Sequence, residues 1–149
     1  MPPDPQAAPP PAPDRHLDDA LTRVGDRWTL LLVAALLDGP RRFGELAEAV
    51  PGIAPNVLTQ RLRHLEQQGL VVATPYSQRP VRFSYELTAS GRDLADAVAL
   101  LAAWGARHEG TAGAAAVHPA CGSALETRLW CPTCERVVDP DEPDELAHV

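Results

Sequence analysis

The sequence predicts a mainly α-helical chain with a small β-hairpin, an α+β arrangement, followed by a small cysteine-bearing module. Three observations support this fold class. Apolar residues recur at helical spacing in several stretches of residues 15–68 and again in residues 89–108. Between these stretches, residues 81–87 alternate apolar and polar side chains, which indicates a half-buried strand. All three cysteines fall in residues 121–134, so thiol or metal chemistry is expected only near the C-terminus.

The N-terminal residues 1–14 predict a disordered lead-in, because seven of the fourteen are proline. They have neither a basic start nor an apolar stretch, so no signal peptide is expected. The longest apolar runs are eight residues each, whereas a membrane span needs roughly 20. We therefore expect a cytoplasmic protein with reduced thiols and no membrane partner. The absence of lysine, with abundant alanine, proline and leucine, is typical of a GC-rich bacterial genome.

The net charge of −7 does not exclude a nucleic-acid partner, because the excess of negative over positive charge lies at the two ends of the chain. Residues 15–108 carry eleven arginines against ten acids, and residues 53–85 carry four arginines and one acid. The local balance of charge matters more for nucleic-acid contact than the net value.

The first two helices have clear start and stop signals. Asp14 can cap a helix over about Arg15 to Val24, which Gly25 would close. Asp26 can cap a second helix over residues 27–37. This second helix is apolar all round, so we expect it at the centre of the core.

A second pair of helices follows. Residues 41–43 are a candidate short strand, and residues 43–50 form an amphipathic helix. The next helix spans residues 55–68, with Pro55 in its first turn and Gly69 closing it.

The hairpin is predicted to pair residues 70–74 with residues 81–87, and residues 75–80 form a loop stiffened by two prolines. The predicted inward-facing side chains are those of Val81, Phe83, Tyr85 and Leu87. Thr88 can then cap one long helix over about residues 89–108.

This order of elements is that of a winged helix-turn-helix, in which residues 43–50 and 55–68 form the helix-turn-helix and the hairpin is the wing. The helix at 55–68 places three leucines on one edge and polar side chains on the other. The major groove of B-DNA admits one helix, where Asn and Gln can bond adenine and Arg can bond guanine. The predicted DNA-binding residues of this helix are Asn56, Thr59, Gln60 and Arg63.

Three further arginines complete the predicted DNA-binding set. Arg61 lies nearer the packed edge, so it is assigned to a phosphate contact or to a structural ion pair. Arg79 and Arg82, in the wing, suit phosphate or minor-groove contact. The alternative is a solvated helix face with ordinary surface arginines.

Three sequence motifs carry a resemblance to a known family. They are Gly-x-x-Trp-Thr from Gly25, Gly-Pro-x-Arg-Phe from Gly39, and Leu-x-x-Leu-x-x-x-Gly-Leu from Leu62. With them, residues 17–108 resemble the HxlR family of bacterial winged-helix transcription regulators, relatives of MarR. The resemblance implies a homodimer that binds double-stranded DNA at a pseudo-palindromic operator.

The chain departs from that family at two positions. Many redox-sensing members carry a cysteine at the start of the first helix, where this chain has Arg15, so oxidant sensing by that route is excluded. Asn56 stands where the family often has a basic residue, which can change the DNA sequence that is read.

A homodimer is also expected from the long C-terminal helix, whose apolar surface exceeds what a small wing needs. The predicted contacts involve the first helix together with Leu94, Val98, Leu101 and Trp104. Two-fold pairing would set the recognition helices about 34–36 Å apart, one turn of DNA. The alternative is that these residues close their own core.

Residues 117–138 are predicted to form a zinc-ribbon-like module, after a linker at 109–116 and before an acidic tail at 139–149. The pattern is H-x2-C-x9-C-x2-C, with two short-spaced ligand pairs that each enclose a proline. Four such ligands suit a closed, structural Zn²⁺ site of tetrahedral geometry. The predicted ligands are His118, Cys121, Cys131 and Cys134.

No set of residues with catalytic spacing emerges, so the chain is not expected to be an enzyme. His16, His64 and His108 are interpreted as surface or helix-end histidines. Two alternative functions remain open. One is a winged helix with a ribbon that docks on transcription machinery without reading bases. The other is a dithiol oxidoreductase that uses Cys131 and Cys134, although the βαβ setting of thioredoxin-like sites is absent.

Overall fold

The computed structural model describes residues 15–108 and 117–139. The predicted lead-in, the linker at 109–116 and residues 140–149 of the acidic tail lie outside the described residues. The chain forms two compact units, Met1–Val98 and Ala99–Val149, so the division falls inside the last long helix. Within the described ranges, no helix combines the length and the apolar character that a membrane crossing requires.

Helices α1 (Arg15–Val24) and α2 (Arg27–Leu37) confirm the predicted bounds. One oxygen of the Asp26 carboxylate accepts hydrogen bonds from the backbone N–H groups of Trp28 (3.0 Å) and Thr29 (3.2 Å). These two groups would otherwise lack partners at the helix start. At Gly25 a Cβ atom would collide with the carbonyl oxygen of Leu21, which explains why glycine joins the two helices.

Strand β1 (Arg41–Arg42), helix α3 (Phe43–Ala49) and helix α4 (Pro55–Gln67) follow as predicted, within a residue or two at their ends. Helix α4 ends where Gly69 adopts a left-handed backbone, with φ of 69°. Glycine takes this conformation without steric cost. Helices α3 and α4 therefore form the helix-turn-helix.

The sheet has three antiparallel strands in the order β1-β3-β2, where β2 spans Val71–Gln78 and β3 spans Val81–Leu87. The prediction of a loop at 75–80 is wrong for most of its length, because β2 continues to Gln78. Pro75 is tolerated since β2 is an edge strand, where a missing N–H is harmless, and the register shifts between Pro75 and Ser77.

The predicted inward face of β3 is buried only at its end nearest the core. Leu87 is 2% exposed and Tyr85 is half-buried, whereas Val81 is 56% and Phe83 is 40% exposed. The prediction of four inward residues is therefore wrong for Val81 and Phe83. The residues at the tip of the hairpin are mostly exposed, as expected of a wing that projects from its core.

The core of the first unit lies among helices α2, α3 and α4 and the base of the sheet. Leu32, Leu46, Leu58 and Leu65 are fully buried. Helices α2 and α4 each contribute three apolar residues to this cluster, and α2 also buries Thr29, in agreement with its predicted place at the centre of the core. Helix α2 is not buried all round, because Leu31 and Leu37 are 40% and 37% exposed.

The single helix predicted at 89–108 is divided into α5 (Ala89–Arg92) and α6 (Ala95–His108). Two contacts hold α5 on the loop that precedes β2. The Thr88 hydroxyl donates to the carbonyl of Gly69 at 2.7 Å, and Gly91 approaches the carbonyl oxygen of Leu70 too closely for any Cβ. These contacts fix α5 to the sheet end, and α6 starts anew two residues later.

The described part of the C-terminal segment contains two turns. The first is closed by an isolated bridge between Val117 and Ala124. The second joins strands β4 (Leu129–Cys131) and β5 (Arg136–Val138), which pair antiparallel.

Candidate nucleic-acid interface

Helix α4 has one buried and one exposed edge, as the sequence predicts. The buried edge consists of Leu58, Leu62 and Leu65, with exposures of 0%, 2% and 0%. On the opposite edge, Asn56, Gln60, Arg63 and Gln67 are all exposed. The leucine edge therefore anchors the helix, and the amide and guanidinium groups face away from the core, where a ligand can reach them.

Thr59, on the same helix, is half-buried, and its hydroxyl donates to the carbonyl of Pro55 at 2.9 Å. The hydroxyl hydrogen is therefore used within the helix. The oxygen can still accept a hydrogen bond, and the methyl group can contact a thymine methyl.

Arg61 forms a structural ion pair, which is one of the two roles that the sequence left open. Its Nε atom lies 3.0 Å from the Asp26 carboxylate, the same oxygen that caps α2. The Nε atom is buried, and its hydrogen is not well directed toward that oxygen, so the contact is electrostatic more than a good hydrogen bond. Asp26 therefore ties α4 to the start of α2.

The wing presents both predicted arginines to solvent. Arg79 lies in the turn between β2 and β3, and Arg82 lies on β3 opposite Ser77. The Ser77 hydroxyl donates to the carbonyl of Pro80 at 2.9 Å, which braces the turn. Exposed guanidinium groups on a braced hairpin suit contact with phosphate.

Arg42, which precedes α3, is an exposed cation outside the predicted DNA-binding set. Its guanidinium lies 4.5 Å from the ring centroid of Tyr76 on β2, a cation–π contact. Its backbone N–H donates to the Glu45 carboxylate at 2.6 Å, which caps the helix start. Arg42 thus links the helix-turn-helix to the wing. The sequence holds no local signal for this contact, because it depends on how β1, β2 and β3 pair.

Tyr85, on β3, shares its surroundings with the second half of α4. Burial raises the pKa of the Tyr85 phenol, the negative charge of Glu66 raises it further, and the positive charge of Arg63 opposes the shift. Tyr85 is therefore neutral at physiological pH.

The structure divides the four residues predicted for the dimer contact. Leu94 and Val98 are half-buried and pack against the core of their own unit, which agrees with the alternative interpretation. Their part in a dimer contact stays a prediction. Leu101 and Trp104 are each 54% exposed. The ring centroids of Trp104 and His108, which are one helical turn apart, lie 4.2 Å from each other.

Helix α1 likewise has no buried residue, and Leu17 and Leu21 are 56% and 54% exposed. A hydrogen bond of 2.8 Å between Nε2 of His64 and the carbonyl oxygen of Arg23 connects the end of α1 to α4. This hydrogen bond fixes the end of α1 to α4, whereas Leu17 and Leu21 remain exposed to solvent.

The four predicted zinc ligands are brought together as two pairs. Nδ1 of His118 lies 3.3 Å from Sγ of Cys121, and the backbone N–H of Cys134 donates to Sγ of Cys131 at 3.4 Å. Among residues 15–108 and 117–139, no three His, Cys, Asp or Glu side chains are close enough to share a metal ion. The zinc site stays a prediction.

Hydrogen bonds favour the thiolate form of two of the cysteines. Hydrogen bonds from Ser123 lower the pKa of Cys121, its side chain contributing most. The backbone N–H of Cys134 is the largest influence that lowers the pKa of Cys131. Thiolates are the form that binds metals and attacks disulfides.

Comparison with known proteins gives a consistent family. The model of the HxlR-like helix-turn-helix family matches residues 23–112. An HTH-type transcriptional regulator of Mycobacterium tuberculosis is 41% identical over 118 residues, which cover 77% of this chain and 74% of the relative. The HTH-type transcriptional regulator YodB of Bacillus subtilis is 35% identical over 88 residues, 59% of this chain and 79% of that protein.

Two solved structures share the fold. The reduced form of YodB from B. subtilis superposes with a TM-score of 0.55 at 32% identity, over 64% of this chain and 94% of that chain. The redox regulator HypR in its reduced form gives a TM-score of 0.60 at 32% identity, over 64% and 95% of the two chains.

Proposed function

Because the chain belongs to the HxlR-like helix-turn-helix family, we propose that it is a transcriptional regulator that binds a specific operator sequence as a homodimer. The observation that carries this proposal is the divided surface of α4. Three leucines seat the helix in the core, and the exposed edge presents Asn56, Gln60 and Arg63. An edge of this kind can enter the major groove and read base edges.

The exposed arginines around α4 supply the contacts that hold such a helix in register. Arg79 and Arg82 of the wing and Arg42 before α3 are exposed. Contacts of cations with phosphate position a protein on the duplex without reading sequence. Arg61 is left out of this group because its charge is already paired with Asp26.

The proposed homodimer is supported by two exposed apolar surfaces. One is Leu17 and Leu21 on α1, and the other is Leu101 and Trp104 on α6. Helices with large apolar side chains in solvent gain free energy when a second copy covers them. Pairing of two copies would also supply the second recognition helix that a pseudo-palindromic operator requires.

Oxidant sensing by a cysteine of α1 is not part of the proposed function. HypR is described as a redox regulator, but every cysteine of this chain lies between positions 121 and 134. DNA binding is expected to need none of them, because none lies on α4 or on the wing.

The test is DNA selection with the full-length protein, followed by affinity measurements. Fragments of the source genome that the protein retains are sequenced, and fluorescence anisotropy then compares the enriched fragment with a shuffled copy. We expect a strong preference for the enriched fragment and a linear fall of log K with log salt, with a slope of about −0.9 per phosphate contact.

Two variants separate base reading from charge. Gln60→Ala should weaken binding to the operator by about 1–3 kcal/mol while leaving shuffled DNA almost unaffected. Arg82→Ala should weaken both and reduce the salt slope by about one. Arg128→Ala, an exposed arginine already paired with Glu126, is the matched control and should change neither. Equal affinity for operator and shuffled DNA in the unmodified protein would overturn the proposal.

A further inference from the structure

The C-terminal segment at 117–139 has no core of its own. Every residue in it is exposed or half-buried. Five large apolar side chains are between 48% and 65% exposed, namely Val117, Leu125, Leu129, Trp130 and Val137. Ordering a chain costs conformational entropy, and burial of apolar surface normally offsets that cost. The turns of this segment therefore need another source of stability.

The two turns have the same backbone design. In the first, Gly122 follows the pair His118–Cys121 with φ of 69°. In the second, Glu135 follows the pair Cys131–Cys134 with φ of 52°. Glu135 is the one described residue other than glycine that has a positive φ. A proline follows the first ligand of each pair. A non-glycine residue in this region is uncommon and usually marks a functional constraint.

In each turn, the backbone bends back on its first ligand residue. The N–H groups of Cys121 and Gly122 donate to the carbonyl of His118 at 3.3 and 2.8 Å. In the second turn, the N–H of Cys134 donates to Sγ of Cys131 at 3.4 Å.

We propose that these two turns are the halves of one metal site, in which His118, Cys121, Cys131 and Cys134 hold a single Zn²⁺ ion. Three thiolates and one imidazole form a soft, four-ligand set that suits tetrahedral Zn²⁺. The set leaves no open position for water, so the ion serves structure and not catalysis. Binding displaces the thiol protons of the three cysteines into solvent, and no oxidant or reductant takes part.

Closure of the site is coupled to metal binding. Residues 125–128 connect the turns and belong to no helix or strand. Among the described residues, the two pairs do not lie close enough to form a group of three or more ligands. The metal would draw the two turns together, as in small metal-binding domains that fold only when loaded. Approach of the turns would also bring the apolar side chains that flank them toward each other, among them Leu125 and Trp130.

The test uses the reduced full-length protein and Co²⁺ as a spectroscopic probe, with Zn²⁺ as competitor. We expect one equivalent of Co²⁺ to give the strong visible d–d bands of tetrahedral coordination and thiolate-to-cobalt charge transfer. One equivalent of Zn²⁺ should abolish both signals. Metal analysis of the protein purified without chelator should find one zinc per chain.

Variants of both turns test whether they share one ion. Cys121→Ser and Cys131→Ser should each reduce the affinity for Co²⁺ at least tenfold and lower the charge-transfer intensity by about a third. Glu126→Gln, which removes a nearby carboxylate that is not a ligand, is the matched control and should bind like the unmodified protein. Circular dichroism of each variant should show unchanged helix content, because the helices lie outside this segment.

Three results would overturn the metal site. They are no uptake of Co²⁺ by the reduced protein, uptake that Cys121→Ser leaves unchanged, and an octahedral spectrum. Reversible oxidation of Cys131 and Cys134 to a disulfide in a chain that binds no metal would favour dithiol chemistry instead. Failure of this test would leave the DNA-binding proposal untouched, because that proposal rests on α4 and the wing.

Discussion

The winged-helix unit and the C-terminal segment both contain hairpins and apolar residues, yet they use them in opposite ways. In the first unit, Leu32, Leu46 and Leu58 are completely buried. In the segment at 117–139, Leu129 and Trp130 are 65% and 58% exposed. Helices α2 to α4 and the base of the sheet cover each other as packed layers. Among the described residues, no second layer covers the two short turns. Apolar content alone therefore does not make a core.

One ion pair from each region shows a similar difference. In the first unit, one carboxylate oxygen of Asp26 caps α2 and also pairs with Arg61, and both side chains are about one-third exposed. In the C-terminal segment, Arg128 and Glu126 form an ion pair whose side chains are 63% and 70% exposed. Water screens the attraction between Arg128 and Glu126 more strongly than that between Arg61 and Asp26. The Arg61–Asp26 pair can therefore help to hold α4 against α2.

The largest expected difference between the two regions is tested by replacing one leucine in each with alanine. Leu58→Ala deletes buried methyl groups and leaves a cavity, so we expect a loss of about 2–5 kcal/mol in the free energy of unfolding. Leu129→Ala removes a side chain that is mostly in solvent and should change that free energy by less than about 0.5 kcal/mol. Urea unfolding followed by circular dichroism of the helices measures both. Equal losses would show that the two regions are not stabilised differently.

Local signals in the sequence were sufficient for most of the first unit. The bounds of α1 and α2 follow from Asp26 and Gly25, whose effects reach only a few residues. The end of α4 follows from Gly69 in the same way. The prediction failed where distant contacts decide the outcome. The break between α5 and α6 falls at Asp93 and Leu94, where neither glycine nor proline marks it in the sequence. The close approach of Gly91 to Leu70 is a contact between distant positions and has no local signal either.

The candidate DNA-binding surface was predicted from helical spacing, and the structure agrees on which edge of α4 is exposed. Periodicity could not assign the partner of each polar group. Arg61 is paired with Asp26, thirty-five positions earlier, and Arg42 contacts Tyr76 across the sheet. Both pairings require the packed arrangement of helices and strands. The two cysteine-bearing turns were predicted from spacing, but the backbone conformation of Glu135 is visible only in the structure.

A second test compares the two charged contacts. Asp26→Ala removes the cap of α2 and leaves Arg61 without its partner, so we expect a loss of about 1–2 kcal/mol in the free energy of unfolding. Glu126→Ala breaks the exposed pair and should cost no more than about 0.5 kcal/mol. The same urea experiment gives both values. A loss at Glu126 equal to that at Asp26 would contradict the view that only the first pair connects packed elements.

The smallest expected effects are changes in Zn²⁺ affinity caused by substitutions in the two turns. They test whether metal binding organises the C-terminal segment. Gly122 and Glu135 occupy the same left-handed position, which costs a residue with a side chain about 1 kcal/mol more than glycine. If only the closed, metal-bound form requires this conformation, Glu135→Gly should tighten Zn²⁺ binding about fivefold, and Gly122→Ala should weaken it by a similar factor. Competition with a chelator of known affinity measures both changes. Neither substitution should alter urea unfolding of the helices, since neither residue belongs to the first unit. If both substitutions left the affinity for Zn²⁺ unchanged, the backbone conformation that the two turns share would be unrelated to metal binding. The C-terminal segment would then need a source of stability other than Zn²⁺.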